Sequence, residues 1–74
     1  MSYVLYSVPT KSQVSDVFAT EKDLWAFVRA KELCSEVVER EDIDARLVLH
    51  PGYEIHVCGA DGERLDQTVI RQWT

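Results

Sequence analysis

Across the last third of the chain, apolar residues recur at alternate positions. Leu47, Leu49, Tyr53, Ile55, Val57, Leu65 and Val69 are all odd-numbered, and most residues between them are polar. Successive side chains leave a strand on opposite sides, so this alternation describes strands with one dry face and one wet face. The stretch 45–70 therefore predicts three antiparallel strands joined by two short turns. A slip of one residue would turn a whole apolar set to water, which restricts the register.

Keeping Leu49 beside Tyr53 and Leu47 beside Ile55 calls for a three-residue loop, His50-Pro51-Gly52. Keeping Val57 beside Leu65 and Tyr53 beside Val69 calls for the loop Ala60-Asp61-Gly62. The second matches the common hairpin that ends in a left-handed glycine bulge. The first fits less well, because Pro is disfavoured at the second central position of a type I turn. This register puts His56 on the wet face between Arg46 and Asp66, Cys58 opposite Arg64, and Glu54 between Val48 and Thr68. It leaves Gln67 on the dry face beside Ile55.

Upstream, Ser2–Val8 reads SYVLYSV and stops at Pro9, a strand followed by a breaker. Residues 12–18, SQVSDVF, suit a helical turn or a second strand. The strand, paired with the first through the PTKS turn, is preferred. Thr20 then supplies an N-cap hydroxyl, with Asp23 three residues on in the capping-box position. From Glu21 to about Glu39 no Gly or Pro interrupts, and the sequence predicts one amphipathic helix. Leu24, Phe27, Val28, Ala30, Cys34, Val37 and Val38 fall on one side, and Glu21, Lys22, Arg29, Glu32, Glu36 and Glu39 on the other. Trp25 falls among the charged residues, where its ring is either covered by Trp73 or another terminal residue, or laid flat across neighbouring side-chain stems, or serves as an anchor for a partner. The acidic run Glu39–Asp44 reads as a solvated loop.

These elements predict an α+β fold: a single antiparallel sheet of four or five strands, in the chain order ββαβββ, with one amphipathic helix packed on one face. At 74 residues this is one domain, 1–74. A core of that size rarely supplies more than roughly 3–5 kcal/mol without a staple, so self-association is expected. Two cysteines, Cys34 and Cys58, lack the short spacings of a disulfide or zinc framework. With neither an apolar leader nor a run long enough to span a bilayer, the expectation is a cytoplasmic protein without a membrane partner.

The net charge is −5, and the eight Lys and Arg residues are scattered singly. Nucleic-acid binding draws its affinity from clustered cations on phosphates, so no nucleic-acid partner is expected.

Cys58, His56 and Asp66 could be read as nucleophile, base and orienting carboxylate. Residues two apart on a strand sit roughly 6–7 Å apart, whereas a nucleophile–base pair needs about 2.6–3.2 Å. A zinc site on His56 and Cys58 lacks further ligands at suitable spacing. No glycine-rich turn precedes the helix, whose acidic first turn would repel phosphate. No catalytic residue, metal or cofactor is therefore expected. The function read from the sequence is a non-enzymatic protein-interaction or regulatory module, with a second copy or another protein as partner. Its candidate surface is Trp25, Arg46, Glu54, His56, Asp66, Val69, Ile70 and Trp73, and the terminal strand is the first candidate for a homodimer contact. The rival reading is a thiol-dependent enzyme or redox sensor centred on Cys58.

Overall fold

A computed structural model describes residues 1–37 and 45–73. The fold is α+β, but with two antiparallel sheets in place of one. Along the chain the elements are β1 (Ser2–Ser7), β2 (Ser12–Gln13), α1 (Glu21–Ala30), β3 (Cys34–Glu36), β4 (Ala45–Leu49), β5 (Tyr53–Cys58), β6 (Arg64–Val69) and β7 (Arg71–Trp73). The larger sheet runs β2-β1-β5-β6 and the smaller β3-β4-β7. The expected solvated loop at Glu39–Asp44 lies outside the described residues.

β1 is a central strand. Its one edge takes β5 in register Leu5↔Ile55 and Val4↔His56; its other edge is lined by residues 12–18. The turn between β1 and β2 closes through the Lys11 N–H, which donates to the Val8 carbonyl at 3.2 Å. The expected second strand forms only at Ser12–Gln13. The chain then steps away from β1 and returns at Phe18, which exchanges two backbone hydrogen bonds of 2.8 Å with Tyr3.

Two expected pairings are corrected. β4 does not pair with β5; it lies between β3 and β7, while β5 lies between β1 and β6. The segment His50–Tyr53 is accordingly a turn between sheets. The Tyr53 N–H donates to the His50 carbonyl at 3.3 Å, and Gly52 has φ +95°. Pro51 thus occupies the first central position and Gly52 the second, as a type II turn prefers. The β5–β6 hairpin has the expected glycine at positive φ, Gly62 at +86°, and Cys58 faces Arg64 as expected. Beyond that pair the register shifts, giving His56↔Thr68 and Ile55↔Val69. Three β6 residues, 65–67, stand opposite Val57 alone, so Asp66 and Gln67 miss the expected neighbours.

The helix is also shorter than the expected span to Glu39. The cap at Thr20 is as read, its hydroxyl accepting from the Asp23 N–H at 3.1 Å. The stop is a Schellman motif: the Leu33 N–H donates to Val28 O at 3.0 Å, and the Glu32 N–H to Arg29 O at 3.1 Å. Glu32 takes the left-handed position usually held by glycine, with φ +56°. The chain then turns back as β3, carrying Cys34 into a sheet.

Leu5 and Ile55 from the large sheet, Leu24, Trp25 and Val28 from the helix, and Leu47 and Leu49 from the small sheet form one core cluster. Two sheets give the helix apolar neighbours over a wide arc. That arc takes in Trp25, which is 1% exposed, and corrects its expected place on the charged surface. Its indole Nε1 has no hydrogen-bond partner among the described residues.

Candidate functional site

The expected parity of the strands places the candidate residues correctly in one respect. Ile55 is fully buried beneath the helix, and Val57, Leu47 and Leu49 are buried with the same parity. His56 therefore lies on the opposite face of the large sheet. It does not look into water, however, being only 7% exposed.

The cover comes from β1. Tyr6 shares this face, and its ring stacks on His56 with centroids 4.3 Å apart and planes inclined by 24°. The imidazole Nε2 lies 2.7 Å from Glu54 Oε1, two residues back on the same strand. Val4, directly across from His56, is buried too. Sequence reasoning missed Tyr6 and Val4, because their position over His56 follows from the β1–β5 pairing, which alternation alone does not reveal.

Cys58 is half-buried and free. No hydrogen bond among the described residues joins it to His56, whose Nε2 is taken by Glu54. Asp66 is exposed and belongs to the irregular part of β6 rather than facing His56. The structure thus does not bring Cys58, His56 and Asp66 together as a nucleophile, base and carboxylate. Among the described residues no group of three or more His, Cys, Asp or Glu is placed to hold a metal ion. No described helix is long and apolar enough to cross a membrane.

The other candidate surface residues divide between two places. Val69 and Ile70 form the crossover by which the chain leaves the large sheet and enters the small one. Val69 packs against the core, while Ile70 is 44% exposed. The Ile70 carbonyl accepts the Leu49 N–H at 2.9 Å, so the crossover backbone is held by β4. A shallow groove runs beside it, lined by Glu21, Thr68, Val69, Ile70 and Arg71. Trp73 closes β7, its backbone paired with Ala45. Arg46 is exposed on β4, at the end of the molecule carrying the small sheet.

Comparison with protein-family models, with curated proteins and with solved structures finds no match to this chain.

Proposed function

We propose that this chain is a small non-enzymatic interaction module that self-associates through the β6–β7 crossover. The observation that carries the reading is the exposure of Ile70 on a backbone segment tied to β4. A large apolar side chain presented from a backbone segment already held by a hydrogen bond loses little freedom when a partner covers it. Among the described residues the groove beside it carries one acid, Glu21, and one base, Arg71. A two-fold arrangement sets Glu21 of one copy against Arg71 of the other, the self-complementarity that an isologous interface requires. A domain of this size also gains from a second copy, since its own core is small.

The experiment is light scattering across a dilution series from micromolar to millimolar protein. The expected mass rises from 8.5 kDa towards twice that value with concentration. Ile70→Lys should hold the mass at the monomer value while leaving the circular dichroism spectrum unchanged. A wild-type chain that stays monomeric throughout would retire self-association through this surface.

A further inference from the structure

The small sheet contains an irregularity that the interaction reading does not use. β4 pairs with β7 as Ala45↔Trp73 and then Leu47↔Gln72, so Arg46 is an extra residue with no partner on β7. Such a bulge locally breaks the alternation of side chains and re-aims the inserted one. On its other edge β4 keeps regular register with β3, as Glu36↔Leu47, and the Val37 N–H donates to the Arg46 carbonyl at 3.0 Å.

Glu36, Leu47 and Gln72 consequently form one row across the small sheet. The bulge lets Arg46 share a cleft with that row instead of pointing away from it. The cleft has a volume of about 410 Å³ and is completed by Val37 and by Arg29 from the last turn of α1. That volume falls in the range of small-ligand sites. In a chain of net charge −5, two guanidinium groups line this cleft with a single carboxylate among the described residues. No ion pair among the described residues engages either arginine, the one present being His56 with Glu54.

We propose that this cleft binds a small organic carboxylate with a short branched apolar body. The planar guanidinium fork matches a carboxylate in two parallel hydrogen bonds. Among the described lining residues Glu36 leaves one net positive charge, which suits a singly charged head group and disfavours phosphate. The Gln72 amide is a further donor, and Val37 and Leu47 offer apolar surface to the ligand body.

The test follows backbone amide shifts of the full chain during titration with isovalerate, isovaleramide and inorganic phosphate at constant ionic strength. Isovalerate should shift the amides of Arg29, Arg46 and Gln72 saturably. Arg46→Gln or Arg29→Gln should each weaken it by about tenfold. Arg64→Gln, outside the cleft, should leave binding unchanged, and both cleft variants should keep the wild-type pattern of dispersed amides because their side chains are exposed. The proposal is overturned if isovalerate shifts grow linearly without saturation, if isovaleramide binds equally well, if the cleft variants bind like wild type, or if phosphate binds more tightly.

Discussion

The Leu5 N–H donates to the Ser15 hydroxyl oxygen at 2.8 Å, so a side chain stands where the carbonyl of a neighbouring strand would. The adjacent bond of the ladder is ordinary, with the Val14 N–H donating to Leu5 O at 2.9 Å. Between Val14 and Phe18 the chain makes two residues more than the ladder needs, and Ser15 spans the gap. Its hydroxyl in turn donates to the Asp16 carbonyl at 2.9 Å.

Ser15→Ala should therefore be costly for a single-atom deletion. Leu5 is fully buried, and losing the acceptor strands its N–H away from water at about 1–3 kcal/mol. Ser15→Thr keeps the oxygen and should cost much less. Urea unfolding midpoints of the two variants check this. Equal midpoints for Ser15→Ala and wild type would show that water replaces the hydroxyl.

Trp25 offers a second contrast. Truncation of a fully buried indole to Ala costs about 3–5 kcal/mol, comparable with the whole stability expected of so small a core. Trp25→Ala should be unfolded at room temperature by circular dichroism. Trp25→Phe also removes volume, but it abolishes an Nε1 donor that has no partner among the described residues and whose burial itself costs about 1–3 kcal/mol. Phe should therefore fold and lose no more than about 2 kcal/mol, the cavity term partly offset by the lost orphan.

Glu32 is strained where glycine would be at ease. A left-handed φ costs an ordinary residue about 1–2 kcal/mol, and glycine's greater freedom in the unfolded chain returns part of that. Glu32→Gly is expected to stabilise the protein by about 0.5–1 kcal/mol, read as a higher urea midpoint at unchanged slope. Glu32→Val should do the reverse, since a branched side chain tolerates this conformation poorly.

The same residue explains much of what was legible in the sequence and what was not. The burial of Leu47, Leu49, Ile55 and Val57 followed from parity, a local property of extended backbone. The N-cap at Thr20 and the glycine at 62 were legible for the same reason, since each satisfies its own turn. The helix stop is hidden in the sequence because Glu32 carries no glycine-like signal, so periodicity alone extends the helix through Cys34, which belongs to β3. Strand neighbours were hidden as well, for alternation says which face a residue occupies and nothing about which strand lies alongside. The burial of His56 depends on Tyr6, fifty residues away, and the aim of Arg46 depends on a register defined only against β7. The burial of Trp25 is not legible in helical periodicity because a second sheet widens the helix's buried arc.

Cys34 links this topology to a pH dependence. Its thiol sits half-buried beside the core, opposite Leu49, and burial raises its pKa above the ordinary 9.0, with Arg29 nearby pulling partly the other way. The charged thiolate is the form that burial disfavours. Above the ordinary thiol value the unfolded chain gives up this proton while the folded chain retains it. The unfolded state then binds fewer protons, so stability falls as pH rises. Below that value the contribution is fully present, and it is lost as pH climbs through the raised folded value. Denaturant midpoints should accordingly decline on the alkaline side of pH 9.0, and Cys34→Ala should remove that part of the decline. Arg29→Gln should move the onset of Cys34 alkylation by iodoacetamide to higher pH, because it removes the charge that favours the thiolate. An onset at or below that of the unfolded chain would contradict the buried setting of this thiol.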